Sequence, residues 1–353
     1  MLQNKPSRSL SHHTKITDYM KKFIETNYRV SIPSSMKQSR QNKQNRSIDK
    51  TSNVFKVFEW LKQVDLPNVQ QNVCLKQSQH NKQEKERELL ILKALQKYHH
   101  PCIIELRHHF MNNNQTNMLF DFMPLNLTQV IQGHRQRNKE IPLILIKSFA
   151  FQLLRAITQL HECQICHRNI QPDNILINNN TFELRLADFS QAKFLIEGED
   201  SINNVNNVKY RAPELLLGTT KYNNSIDLWA YGCVIYEMWT LNAVFEGNTP
   251  EEVIAEIIKI LGVPKKHELQ SMKSQFEDIK MPQIKKKEWE FSETMEFIKQ
   301  FIKYNPTYRG KAQQYLNHSF FKDVLSGQIR LNGRELPNIK NLKPYELEIL
   351  RLE

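Results

Sequence analysis

The chain has 353 residues, of which 40% are hydrophobic and 24% charged, and its formal net charge is +12. This length allows one or two domains with sizeable cores, and we expect no unbroken apolar stretch long enough to cross a bilayer. The first eight residues lack the apolar core of a secretory signal, which predicts an intracellular, cytoplasmic location. These features argue against membrane-embedded proteins and against secreted scaffolds held by disulfides.

The first 50 residues form a basic, polar segment. They contain 11 Lys and Arg against 3 Asp and Glu, so +8 of the net charge lies there. The charges are scattered among Ser, Asn and Gln, a composition that cannot bury enough apolar surface to order itself. We therefore predict a flexible, solvated tail over residues 1–50. Contact with nucleic acid or another acidic surface is the less favoured alternative.

Residues 51–123 combine short apolar runs with one helical pattern. In that pattern three leucines recur at three-residue intervals: Leu89, Leu92 and Leu95. This spacing is typical of one buried face of a helix. The segment is predicted to fold as a small, β-rich lobe that carries a single helix.

Residues 124–325 are predicted to form a larger, α-rich lobe. Apolar residues recur there at three- and four-residue intervals in four stretches, Leu143–Leu160, Ser225–Trp239, Pro250–Leu261 and Thr294–Tyr304. The predicted fold class is therefore α+β with two lobes, and residues 326–353 are left as a C-terminal extension.

Three motifs follow one another in the larger lobe. Residues 167–174 read His-Arg-Asn-Ile-Gln-Pro-Asp-Asn, residues 187–190 read Ala-Asp-Phe-Ser, and residues 212–214 read Ala-Pro-Glu. In this order they resemble the motifs of eukaryotic protein kinases, over roughly residues 50–325. Four further segments resemble the glycogen synthase kinase 3 branch of that family: residues 165–168, 210–215, 225–229 and 256–262. The resemblance implies the two-lobed kinase fold.

The resemblance also implies a site for ATP and Mg²⁺. Phosphoryl transfer requires positioned phosphates, neutralised charge and an oriented hydroxyl group. Lys76 matches the strand lysine that binds the α- and β-phosphates, with Glu88 as its partner on the helix, and a solvent-facing lysine is the alternative. Asn174 and Asp188 match the two magnesium ligands, and their oxygen atoms suit a hard cation. The remaining candidate nucleotide contacts are Asp121, Met123 and Leu176.

Several positions depart from the kinase pattern. Asn169 stands where the family has its catalytic aspartate, and a carboxamide has no comparable basicity. Gln171 replaces the lysine that reaches the transferred phosphate, and Ser190 replaces a glycine. The first glycine of the chain is Gly133, so residues 53–59 lack the glycine loop whose backbone covers the phosphates. We expect weak nucleotide binding at most, and no useful catalysis.

Three basic residues match a phosphate dock of the resembled family. Arg87, Arg168 and Lys193 correspond to the residues that bind a phosphate already present on the substrate, which requires no ATP chemistry. The alternative is that Arg168 only ties down the activation segment, residues 188–214, and that the other two are surface charges. The activating tyrosine of the family falls on Asn204, so that mode of switching is not expected.

A second candidate surface follows the dock in the chain. In the resembled family this region forms a groove for the amphipathic helix of a partner, and the matching residues are Val253, Ile257, Phe276, Ile279 and Met281. Ordinary core packing is the alternative for most of the stripe, and Phe276 and Met281 are the favoured exposed contacts.

Other motif residues are interpreted as scaffold. Glu214 and Arg309 resemble a buried ion pair of the family, in which loss of one partner would leave a charge unpaired. Asp227 is expected to hold the backbone of the catalytic loop, residues 167–174.

The predicted function is that of a pseudokinase, which binds protein partners, phosphorylated ones included, as a scaffold or structural subunit. The first alternative is a weak serine/threonine kinase that uses Lys76, Glu88, Asn174 and Asp188. The second is an architectural component of a larger assembly that uses the basic N-terminal segment.

Overall fold

The structure of the chain is a computed structural model, and it describes residues 73–77, 82–112, 115–196, 199–201, 207–274, 276, 289, 291–326, 330–331 and 333–337. Five of the positions and segments discussed above lie outside these described residues: 1–50, 53–59, Asn204, Ile279 and Met281.

The small lobe contains a three-stranded antiparallel sheet. Its strands are β1 (Val73–Gln77), β2 (Leu106–Asn112) and β3 (Gln115–Asp121), in the spatial order β1-β3-β2. The central strand β3 carries the buried residues Met118, Leu119 and Phe120. Lys76 pairs with Met118 in the β1–β3 register, so the sheet fixes the position of the lysine along the strand.

One helix, α1 (Lys82–Gln96), packs beside this sheet. Leu92 and Leu95 are buried, Leu89 is half-buried and packs against the core, and Glu86 and Lys93 are exposed. The leucine pattern of the sequence therefore predicted the buried face correctly.

The large lobe is helical. Its α-helices are α2 (Leu127–Gln136), α3 (Leu143–Glu162), α4 (Pro213–Leu216), α5 (Ser225–Thr240), α6 (Pro250–Leu261), α7 (Lys266–Ser271), α8 (Glu293–Ile298) and α9 (Lys322–Leu325). Short 3-10 helices lie at Pro172–Asn174, Phe189–Gln191, Val208–Tyr210, Pro306–Arg309, Ala312–Tyr315 and Ser319–Phe321. Local sequence sets several starts: the Asn126 side chain accepts from Gln129 N before α2, and the Thr249 side chain accepts from Glu252 N before α6.

One predicted helix is shorter than expected. The pattern predicted a helix over Thr294–Tyr304, whereas α8 ends at Ile298. Beyond that point Phe301 N bonds to Ile298 O at 3.0 Å, a tighter turn than the α-helical one. Phe301 and Tyr304 are nevertheless buried, so the apolar spacing reported core packing rather than a continuous helix.

Helix α3 passes through the middle of the large lobe. By length and mean hydropathy (1.4) it could cross a membrane, contrary to the expectation that no stretch would. However, 89% of its apolar window is buried inside the fold. Its Lys147 ammonium bonds to Glu293 at 3.1 Å and to Asp323 at 2.8 Å. We therefore interpret α3 as a core helix.

Short strands frame the candidate site. The large lobe contains a sheet of β4 (Leu125–Asn126), β6 (Ile175–Asn178) and β7 (Glu183–Leu186), and a pair formed by β5 (Ile165–Cys166) and β8 (Lys193–Phe194). Strand β5 leads into the catalytic loop, and β7 leads into Asp188. A two-stranded pair, β9 (Arg330–Leu331) and β10 (Arg334–Glu335), follows α9.

A backbone link joins the segment after α1 to strand β7. Ile104 N donates to Leu186 O at 3.0 Å, and Leu186 N donates to Cys102 O at 2.8 Å. These three residues are buried. The link therefore ties the chain that follows the helix of the small lobe to the strand that ends at Asp188.

Candidate active-site cleft

Asp227, in helix α5, binds the backbone of the catalytic loop. Both oxygens of Asp227 accept a main-chain hydrogen bond, one from His167 N and one from Arg168 N, each at 2.9 Å. Burial raises the pKa of this carboxyl, but hydrogen bonding to His161 and the nearby histidine charges outweigh that effect, and the pKa is lowered. The predicted role of Asp227 as an anchor of the loop is confirmed.

Lys76 lies between two carboxylates in the cleft. Its Nζ is 2.6 Å from Glu88 Oε1 and 2.6 Å from Asp188 Oδ1. Burial alone would lower the pKa of Lys76, but the charges of Asp188 and Glu88 outweigh burial and raise it. The predicted pair with Glu88 is therefore formed, and the alternative of a solvent-facing lysine is wrong.

Asp188 is held in its charged form. Burial acts to raise the pKa of Asp188, yet the charge of Lys76 and the hydrogen bonds from Lys76 and Ser190 lower it to about 2. The residue has a φ of 62°, in the left-handed region that non-glycine residues seldom adopt. Phe189, which follows, is fully buried, and its ring meets that of His167 edge to face at 4.9 Å.

One amide side chain, that of Asn169, contacts Asp188, and two further amide side chains bind Asn169 in turn. Asn169 Nδ2 donates to Asp188 Oδ2 at 3.2 Å, and Gln171 Nε2 donates to Asn169 Oδ1 at 3.3 Å. Asn174 Nδ2 donates to the main-chain oxygen of Asn169 at 2.8 Å. Since Asp188 also binds Lys76 and Lys76 binds Glu88, the structure brings six of the predicted site residues into one hydrogen-bonded network.

A divalent cation does not fit this arrangement. The two predicted ligands, Asn174 and Asp188, offer oxygen atoms, and the main-chain oxygen of Asn174 accepts from Ala187 N, next to Asp188, at 2.9 Å. However, both oxygens of Asp188 already accept hydrogen bonds, from Lys76 and Ser190 on one side and from Asn169 on the other. A metal ion would have to displace these donors.

The other candidate nucleotide contacts flank the cleft. The Asp121 carboxylate binds Arg107 at 2.7 Å and Arg185 at 2.8 Å, and the hydrogen bond from Arg107 is the main reason that its pKa is lowered. Met123 and Leu176 are half-buried and pack against the core. Since the Asp121 side chain is occupied by two arginines, only its backbone is left for a nucleotide.

Two of the three predicted dock residues bind main-chain oxygens of the activation segment. Arg87 Nη2 donates to Ser190 O at 3.0 Å, and Arg168 Nε donates to Gln191 O at 2.6 Å. Arg168 is almost fully buried and also bonds to the Tyr222 hydroxyl at 3.0 Å. Arg168 therefore does tie down the activation segment, as the alternative interpretation predicted.

The third dock residue, Lys193, faces the same space. Burial lowers its pKa, the charge of Glu199 opposes that effect, and the charges of Arg168 and Arg87 add to the lowering. Lys193 Nζ donates to Ser201 Oγ at 3.0 Å and is 3.8 Å from the Glu199 carboxylate. The motif comparison did not predict Ser201 or Tyr222, because their approach depends on the path of the activation segment and of the loop that follows it.

The candidate partner groove is only partly a surface. Val253 and Ile257 are fully buried in the core, so their assignment to an exposed groove is corrected in favour of core packing. Phe276 is 53% exposed and stays a candidate contact.

The activation segment is fastened to the large lobe by the predicted ion pair. Arg309 binds Glu214 through two bonds, Nη1 to Oε1 at 2.6 Å and Nη2 to Oε2 at 2.7 Å, and both side chains are buried. This prediction is confirmed.

A comparison with known families agrees with this geometry. The sequence model described as protein kinase domain matches residues 35–321. The match covers most of the chain and includes every described part of the cleft.

Proposed function

Because the chain belongs to the protein kinase family, we propose that it acts as a pseudokinase related to the glycogen synthase kinase 3 branch. In this proposal it binds other proteins, phosphorylated ones included, and serves as a scaffold or structural subunit. The observation that supports the proposal most is the state of Asn169. Its amide nitrogen donates to Asp188 and its amide oxygen accepts from Gln171.

A catalytic base must accept the proton of the attacking hydroxyl group. An amide with both ends engaged in hydrogen bonds has no basic atom to offer, and loss of a general base typically costs about 10²- to 10⁴-fold in rate. Gln171 removes in addition a positive charge near the transferred phosphate. The nearest other carboxylate in the loop, Asp173, is exposed and lies four residues further along the chain. The combined defects support loss of phosphoryl transfer.

One observation favours the alternative, a weak serine/threonine kinase. The ion pair between Lys76 and Glu88 is formed, and phosphoryl transfer by protein kinases requires that pair. Protein kinase domains generally bind ATP and Mg²⁺. In this alternative the chain would bind both weakly and transfer phosphate slowly.

A transfer assay separates the two functions. We expect no transfer of radiolabelled phosphate from ATP and Mg²⁺ to a phosphorylated substrate peptide. The double variant Asn169→Asp, Gln171→Lys should also give little transfer, because residues 53–59 still contain no glycine. Efficient transfer by the unmodified chain, abolished by Lys76→Ala, would refute the pseudokinase proposal.

A further inference from the structure

The Asp188 carboxylate has donors on both of its oxygens. Oδ1 accepts from Lys76 Nζ at 2.6 Å and from Ser190 N at 3.4 Å. Oδ2 accepts from Asn169 Nδ2 at 3.2 Å. An ionised aspartate at position 169 could not make this last contact, because two carboxylates at that distance repel each other.

Neighbouring groups fix the orientation of the Asn169 amide. A carboxylate only accepts, so the nitrogen of the amide must face Asp188. The oxygen of the amide then faces Gln171, which donates to it. Turning the amide would place two acceptors against each other. The other end of the Gln171 side chain, Oε1, is buried and has no hydrogen-bond partner within the described part of the chain, so Gln171 is held here through its nitrogen.

The loop that carries Asn169 is itself held in place. Asn174 donates to the main-chain oxygen of Asn169, and Asp227 fixes the two preceding main-chain nitrogens. The contacts that order the catalytic loop therefore also hold Asn169 beside Asp188.

We propose that Asn169 is a positioning residue whose amide takes the place of a divalent cation beside Asp188. Asp188 is then a poor metal ligand. The chain of contacts from Glu88 through Lys76 and Asp188 to Asn169 persists without a metal ion. This assignment rests on the proposed function, since a kinase that binds Mg²⁺ at Asp188 would have to displace donors from this carboxylate. It extends that function by making the folded cleft, and the surfaces built on it, independent of metal.

The variant Asn169→Asp tests this assignment in the full-length chain. It replaces the amide by a second carboxylate of the same shape. We expect its melting temperature in EDTA to fall by about 3 °C or more, and millimolar Mg²⁺ or Mn²⁺ to restore most of the loss. The unmodified chain should melt at the same temperature in EDTA and in either metal. Asn180→Asp, in an exposed turn, is the matched control and should respond to neither condition.

Direct titration with Mn²⁺ provides the second measurement. We expect binding to Asn169→Asp to be at least about tenfold tighter than to the unmodified chain, because a charge-assisted hydrogen bond no longer competes. Equal binding by the two proteins, or a melting temperature of the unmodified chain that rises with Mg²⁺, would overturn the proposal. If Asn169→Asp does not fold, tight Mn²⁺ binding by the unmodified chain refutes the proposal and lack of binding supports it.

The two proposals fail in different ways. Tight Mn²⁺ binding without phosphate transfer overturns only the role of Asn169. Phosphate transfer by the unmodified chain overturns the proposed function as well.

Discussion

Replacing Arg309 by methionine should lower the free energy of unfolding by about 3–5 kcal/mol, because it leaves the Glu214 carboxylate buried without its partner. The side chains of Arg309 and Glu214 are 0% and 2% exposed, and two short hydrogen bonds join them. Arg309 Nε also donates to Lys303 O at 2.9 Å, and the guanidinium lies 5.1 Å from the ring centre of Trp229. Methionine fills a similar volume but replaces none of these bonds.

Urea unfolding followed by tryptophan fluorescence measures the effect, since Trp229 lies beside the substituted side chain. The matched control is Lys299→Met, which breaks a surface pair with Glu296 whose side chains are 37% and 50% exposed. Exposed pairs of this kind contribute about 0.2–1 kcal/mol. The double variant Glu214→Leu, Arg309→Met should recover most of the stability, because replacing a whole buried pair by apolar groups is often neutral.

The reasoning would be refuted if Arg309→Met and Lys299→Met lost similar stability. If Arg309→Met does not fold, Glu214→Gln keeps the shape of the pair and removes one charge. It should then lose more stability than Lys299→Met, and an equal loss would again contradict the argument.

Two further predictions concern the dock and the packing of α5. Isothermal titration should show tighter binding of a phosphorylated peptide than of its unphosphorylated form. Arg87→Glu should abolish this difference, whereas the exposed control Arg137→Glu should not. Equal binding of both peptides by the unmodified chain would refute the phosphate dock. Gly232→Ala should destabilise the protein by about 1–3 kcal/mol, since the added Cβ would lie 2.9 Å from Phe301 Cβ. At Gly133 in α2, the nearest heavy atom to an added Cβ is 3.7 Å away. Gly133→Ala should therefore stabilise the protein by about 0.5–1 kcal/mol. Thermal unfolding in which Gly133→Ala was the less stable of the two variants would contradict the packing argument.

The contacts that depend on motif residues could be predicted from the sequence. Asp227 and the pair of Glu214 and Arg309 were predicted because each motif fixes both the residue type and its partner. The three-residue spacing of leucines predicted the buried face of α1 for a similar reason, since only one helical face brings Leu92 and Leu95 together.

Contacts that depend on the path of the chain could not be predicted. The approach of Ser201 to Lys193 depends on the path of the activation segment, and that of Tyr222 to Arg168 depends on the path of the loop before α5; no local pattern predicts either path. Apolar spacing also could not tell a groove from a core at Val253, because both surfaces require the same residue types.

The orientation of the Asn169 amide also could not be predicted from the sequence. The sequence shows an amide where a carboxylate is expected, which predicts the loss of a base. That this amide would also become a donor to Asp188 follows only from their distance in the folded cleft. The substitution therefore adds an interaction as well as removing one.

The backbone link from Ile104 and Cys102 to Leu186 joins the segment after α1 to the strand that leads into the cleft. A displacement of residues 102–104 must either break these two main-chain hydrogen bonds or move β7 with them. Because β7 ends two residues before Asp188, main-chain hydrogen bonds and the backbone alone connect the segment after α1 to the acidic group.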